Sequence, residues 1–319
     1  MTTRVSPAIV RPLPGRNRGI LSLAGRLGLF AFCLAMVVSA QPAWAEEPGS
    51  GSADNSRTAT IDDAQDGSAY HGGRGELDII LIHGLGGAAE IWEPVIPFLK
   101  GTFNVWTFEL TGHGRTQPVI NPGIDTEVER LREFMSRESI SYPVLVGHGV
   151  GGMIALRFAL DYPANLSRLI VIDSAPRQMA SDEQKQAISE AILADYDRFV
   201  ASRYLDMSPK EDVTEQILDL ALRTDSASFV SLLMSGFDFD VTDELKGLSV
   251  PLLVVGSELM FPAPETIQDV LNQVGYGKAR SLSFKRIGQT GHYVMLERPV
   301  NTASVLLAFG VTPDHEFEH

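Results

Sequence analysis

Tyr142-Pro-Val-Leu-Val-Gly-His-Gly-Val-Gly-Gly152 is a short apolar run broken by a cluster of glycines, and Met153 to Leu160 resumes it as an apolar helix. A strand that stops at a glycine turn and hands the chain directly to a helix is a building unit of parallel sheets. The unit recurs on either side. Upstream, Leu77-Asp-Ile-Ile-Leu-Ile82 enters His83-Gly-Leu-Gly-Gly87, and Ile91, Trp92, Val95, Ile96 and Leu99 follow at helical spacing. Phe103 to Leu110 forms a second strand running into Thr111-Gly-His-Gly-Arg-Thr116, and residues 125–138 read as an amphipathic helix. Val144-Leu-Val146 is the third strand, and Leu169-Ile-Val-Ile172, ending at Asp173-Ser174, is the fourth.

The alternation then stops. Residues 178 to 245 are helical in pattern, with Ile188, Ile192, Leu193, Phe199 and Val200 as one apolar stripe. Strands return at Pro251–Val255 and Ser281–Phe284, and a last helix covers residues 299–309. Continuous apolar strands alternating with helices predict an α/β fold, a mostly parallel, doubly wound sheet covered on both faces. The helices inserted after the fourth strand, residues 176–246, read as a lid over the carboxyl ends of the strands, where ligands bind in such sheets.

The first 45 residues stand apart from this pattern. They hold Arg4, Arg11, Arg16, Arg18 and Arg26 and no acidic residue, then an apolar run from Leu27 to Ala40, then Ala43-Trp44-Ala45. That order predicts a secretory signal cleaved after Ala45 and a periplasmic or secreted protein. Cys33, the one cysteine, lies inside the leader, so a processed chain would have neither disulfides nor thiolate chemistry. Removing five arginines from the 26 basic residues leaves 21 against 40 acidic ones. Such a surface opposes nucleic-acid binding and stable membrane association. Residues 46–75, rich in Gly, Ser, Ala and Asp, read as a flexible linker. Residues 76–312 read as one domain and residues 313–319 as a tail.

Four glycine–histidine segments carry a resemblance: His83-Gly-Leu-Gly-Gly87, Thr111-Gly-His-Gly-Arg115, Gly147-His-Gly-Val-Gly-Gly152, and Gly291-His292 followed by Glu297-Arg-Pro299. In this order and spacing the chain resembles the α/β-hydrolase superfamily, in its lid-containing branch of esterases and peroxidases, from about residue 76 to 310. The resemblance implies nucleophile, acid and histidine in that chain order. His292 falls where the family's general base sits. The nucleophile position of the G-x-S-x-G elbow is Gly149, which has no hydroxyl. Counting from Gly256, the family's acid would fall at Leu259, which cannot orient an imidazole. Glu258 is the neighbouring substitute, and Asp173 is a further candidate that also reads as a turn cap.

The family's oxyanion hole consists of backbone N–H groups, which the resemblance assigns to Leu85 and Val150. His83, Gly84 and His148 would lie beside the substrate. His83, His113 and His148 lack metal-ligand spacing, and no phosphate-loop lysine follows the glycines, so neither metal nor organic cofactor is expected. Phe229, Leu232, Leu233, Met234 and Phe237 are candidates for the acyl wall of a small-molecule pocket.

Glycine at the elbow leaves three readings open. Loss of a triad serine costs on the order of a million-fold in turnover, or ~8 kcal/mol of transition-state stabilisation. A covalent acyl-enzyme is therefore not expected. The chain acts on a small ester, amide or carbonyl compound through His292 and the hole alone, or it binds a ligand without turnover, or it is a nucleophile-substituted variant of an active serine esterase.

Overall fold

The computed structural model describes residues 68–178, 180–262 and 266–312. The basic leader with its expected cleavage at Ala45, most of the linker and the tail lie outside the described residues.

The described strands form one sheet: β1 (Ser68–Gly73), β2 (Leu77–Ile82), β3 (Phe103–Phe108), β4 (Val144–His148), β5 (Arg168–Ile172), β6 (Leu252–Ser257) and β7 (Leu282–Ile287), in the order β1-β3-β2-β4-β5-β6-β7. All neighbours are parallel except β1, which runs antiparallel to β3. Every residue of β4, β5 and β6 is buried. A strand covered on both faces has no polar side to alternate with, so its sequence is a continuous run of Val, Ile and Leu. Each such side chain contributes ~1.5–3 kcal/mol on burial.

The linker reading of residues 46–75 is corrected at its end, because residues 68–73 form β1. The sequence Ser-Ala-Tyr-His-Gly-Gly lacks an apolar pattern because the strand lies at the sheet edge. It is held by pairing to β3 and by the His71 ring stacked on Trp106, with centroids 3.6 Å apart.

The longer helices are α1 (Ile124–Arg137), α2 (Val150–Asp161), α3 (Asp182–Ala194), α4 (Tyr196–Tyr204), α5 (Glu211–Arg223), α6 (Ser226–Asp238), α7 (Ile267–Val274) and α8 (Pro299–Gly310). In α1 the buried Ile124, Val128, Leu131, Phe134 and Met135 recur three and four apart, the mark of one covered face.

The lid is α3 to α6. Its expected single stripe from Ile188 to Val200 does not hold as one face. Asp195 ends α3 and caps α4, accepting from Arg198 N at 3.0 Å. The break leaves Leu193 86 % exposed, while Ile188, Phe199 and Val200 stay buried.

Strand order reverses between β2 and β4. From β2 the chain moves out to β3, then returns to the other side of β2 for β4. Loops leaving two neighbouring strands in opposite directions open a crevice at their carboxyl ends. The turn at residues 83–87 and the turn at Gly149 border this crevice.

Candidate active site

β4 ends at His148, and Gly149 turns the chain into α2 with φ +54° and ψ −120°. Residues with a side chain are strained in that conformation, by ~1–3 kcal/mol. Gly149 N donates to Ile172 O at 3.0 Å, which pins the turn to the end of β5. Gly151 is required for a different reason: a Cβ there would stand 2.3 Å from His83 O. Its absence lets α2 start hard against the end of β2. A Cβ at Gly149 would instead meet His292 Nε2 at 3.4 Å, an ordinary contact aimed at the imidazole.

His292 follows β7 in a loop fastened to the lid, its N–H donating to Met207 O at 2.6 Å. Its Nδ1 lies 3.2 Å from Asp173 Oδ2. A carboxylate oxygen only accepts, so Nδ1 carries the hydrogen and Nε2 presents its lone pair towards Gly149. Asp173 sits at the end of β5 with φ +43° and is buried. Its carboxylate also accepts from Ser257 N at 2.6 Å and from Ser257 Oγ at 2.5 Å.

The carboxylate that meets the imidazole is therefore Asp173, and the expectation for Glu258 is corrected. Ser257, the last residue of β6, faces Asp173. Glu258 is exposed and accepts from Gln289 N at 2.7 Å. Leu259 lines the cavity and contributes no charge there.

The amides of Leu85 and Val150 border the same cavity, and among the described residues neither has a protein acceptor. Val150 opens α2, so its N–H belongs to the unpaired first turn and points the positive end of the helix into the cavity. The Leu85 loop is braced on three sides. Gly87 N donates to Gly84 O at 3.0 Å, Gly86 N donates to His113 Nε2 at 3.0 Å, and the Tyr204 hydroxyl donates to Leu85 O at 2.6 Å.

The histidines expected beside the substrate do other work. His83 donates from Nδ1 to Gly84 O at 2.8 Å and accepts at Nε2 from Leu110 N at 3.1 Å. Burial pushes its pKa down to about 3, and that of His113 to about 4. His113 makes the matching pair of bonds, to Thr111 O and from Gly86 N. The two neutral rings tie the loops after β2 and β3 together. His148 is also fully buried, and its Nε2–H donates to His292 O at 3.0 Å. Burial, then the neighbouring His292, hold its pKa well below the usual value. Gly84 packs against His148. None of His83, Gly84 and His148 lines the cavity.

The cavity measures about 120 Å³. Its lid wall comes from Arg203 and Tyr204 of α4 and from Met207, not from α6 as the sequence suggested. Phe229, Leu232, Leu233 and Phe237 are buried elsewhere, where α6 packs on α1 and α2, and Met234 is half-buried against the same core. Among the described residues no group of three His, Cys, Asp or Glu side chains is placed to hold one metal ion. The arrangement supplies a proton acceptor at His292 Nε2, a carboxylate that can stabilise the resulting imidazolium, and two N–H groups without protein acceptors at the cavity's border that can meet developing negative charge.

Known proteins share this framework. The chain is 26 % identical over 216 residues to the pimeloyl-[acyl-carrier protein] methyl ester esterase of Yersinia enterocolitica, spanning 63 % of this chain and 81 % of that protein. A hydrolase from Oleispira antarctica superposes with a TM-score of 0.70 at 16 % identity, over 79 % of this chain and 97 % of the other. The enol-lactonase of Burkholderia xenovorans LB400 gives 0.66 at 18 % identity, over 75 % and 94 %. The profile of the alpha/beta hydrolase family matches residues 79–305. With the sheet order, the glycine turn after β4 and this match, the chain belongs to the alpha/beta hydrolase family.

Proposed function

We propose that this protein hydrolyses a small ester, amide or related carbonyl compound by direct attack of water, without a serine acyl-enzyme. Gly149 stands at the family's nucleophile position. His292 takes the proton from a water held between its Nε2 and the substrate carbonyl. Asp173 stabilises the imidazolium, and the N–H groups of Leu85 and Val150 receive the oxyanion. The same imidazolium returns the proton to the leaving group.

The observation that carries this reading is the line from Asp173 through His292 to the space beside Gly149. A structural histidine needs no free Nε2 in a cavity that two unpaired amides also border. Hole and binding alone sustain roughly a thousand-fold acceleration over water in serine hydrolases stripped of their triad, which sets the scale of activity expected here. The relatives named above are esterases and hydrolases, which favours acyl transfer to water over other carbonyl chemistry. The basic and apolar leader favours a place outside the cytoplasm for this activity.

The test is an ester panel assayed with the parent protein and with His292→Ala. A measurable rate lost in the variant supports the reading, and an unchanged rate overturns it. A fluorophosphonate should leave the parent unlabelled, because no serine attacks it.

A second reading, a nucleophile-substituted form of a serine esterase, is favoured by one feature. The backbone at 149 keeps a bend whose Cβ position is open and aimed at His292. Gly149→Ser that labels rapidly with fluorophosphonate and gains orders of magnitude in ester turnover supports it.

A further inference from the structure

Two arginines wall the cavity, Arg177 and Arg203. Arg203 lies on α4, in the lid, and lines the same cavity as Gly149. Its Nε and Nη1 are shut off from solvent and have no hydrogen-bond partner. Among the described residues no carboxylate forms an ion pair with it. Arg177 Nη2 donates to Gln273 O at 3.4 Å, and its Nε is likewise buried and unpaired. The carboxylate in the same wall, Asp173, is already engaged by Ser257 and His292.

Guanidinium N–H groups shut off from water without an acceptor are costly, and a ligand that supplies the missing acceptor offsets that cost. The lining thus carries two cationic groups against one committed anion, in a chain whose formal net charge is −14. The remaining wall is mostly apolar, with Met153, Met207, Leu259 and Met260, and also holds Ser174, Gln178 and Tyr204. A planar guanidinium in apolar surroundings suits a carboxylate, which it can grip through two parallel N–H donors.

We propose that Arg203, assisted by Arg177, is a specificity-determining anchor for a carboxylate on the substrate, so that the cavity takes short esters or amides bearing a second, ionised carboxyl group. The proposal rests on the reading of this cavity as the substrate site. Such a substrate would place its reacting carbonyl at Leu85 and Val150 and its carboxylate at the lid.

The experiment separates binding from turnover. Monomethyl glutarate, an anion at neutral pH, and its neutral counterpart dimethyl glutarate are titrated into the parent, Arg203→Met and Arg203→Lys, by calorimetry and in parallel by ester assay. The parent is expected to bind the monoester about tenfold to a hundredfold more tightly than the diester, the scale of one hydrogen-bonded charge pair. Arg203→Met is expected to abolish that preference and Arg203→Lys to retain part of it. Circular dichroism establishes that each variant is folded, and the milder Arg203→Lys serves if Arg203→Met is not. Equal affinities in the parent, a preference untouched in a folded Arg203 variant, or no binding of either compound at millimolar concentration overturns the proposal. Preferential binding without turnover upholds the anchor and counts against the hydrolytic reading, whereas turnover without preference does the reverse.

Discussion

His292 Nδ1 and Asp173 Oδ2 lie 3.2 Å apart across 119 residues of chain, with the carboxylate buried and two further donors from Ser257 upon it. This contact fixes which tautomer His292 adopts. Asp173→Asn replaces an acceptor with an amide that can turn its NH₂ towards the imidazole and favour the wrong tautomer. Removal of the equivalent charge in a serine protease lowers turnover about 10⁴-fold. Here Asp173→Asn is expected to lower ester turnover by at least about a hundredfold, while Glu258→Gln stays within twofold of the parent. Equal losses in the two variants would restore Glu258 as the acid.

Gly149 sits at φ +54°, so any side chain introduced there is strained although its Cβ has room. Gly149→Ala is expected to destabilise the fold by about 1–2 kcal/mol. For a domain of this size that is a fall of about 2–8 °C in melting temperature. Gly149→Ser carries the same strain, partly relieved if its Oγ bonds His292. Scanning calorimetry of the two variants checks the order. Alanine as stable as glycine would mean that the backbone at 149 relaxes out of the bend.

Tyr204 connects the lid to the oxyanion loop through its hydroxyl on Leu85 O. Tyr204→Phe leaves that carbonyl without its donor, a change of about 1–3 kcal/mol when buried. The loop should lose its aim at the developing oxyanion. A tenfold or larger fall in kcat with KM nearly unchanged is expected in steady-state assays. A rise in KM alone would mark Tyr204 as a substrate contact, not a brace.

The parts of this architecture that read well from sequence are those with strong local signals. The centres of β2, β4, β5 and β6 are covered on both faces, so each carries three or four consecutive apolar residues. The elbow and the His83 turn are legible because close backbone approach demands glycine at fixed positions. β1 was hidden because an edge strand with one ladder needs no apolar pattern. The role of Asp173 was obscured because an aspartate at a strand end has two physical explanations, a turn cap and a buried acid. What decides between them is the approach of Ser257 and His292, both far away in sequence. The α6 stripe reads as a cavity wall in the sequence because helical periodicity reports that a face is covered and not by what. Arg203 carries no local signal at all. An arginine near a helix end is ordinary until its surroundings show it unpaired.

Stability should fall with acid because of the buried histidines. His83, His113 and His148 are fully buried, with pKa values pushed to about 3, about 4 and well below the usual value. In the unfolded chain each titrates near 6.5. As pH falls below about 6.5 the unfolded chain takes up protons that the folded protein refuses, so folding stability declines until the native rings themselves protonate. Each fully coupled group adds a slope of up to ~1.4 kcal/mol per pH unit. Burial raises the pKa values of Glu109, Glu127 and Glu297, and this acts in the opposite sense. Their contribution is complete below about pH 4.5, the ordinary glutamate value, and is lost as pH rises through their folded values. They therefore offset part of the histidine slope above about pH 4.5 and none of it below. Urea midpoints measured from pH 7 to pH 4 should fall throughout, most steeply at the acid end. His113→Gln, which cannot gain that charge, should be less stable than the parent at pH 7 and show a shallower decline. A midpoint constant from pH 6.5 to pH 4 would contradict the neutral-histidine brace between the loops after β2 and β3.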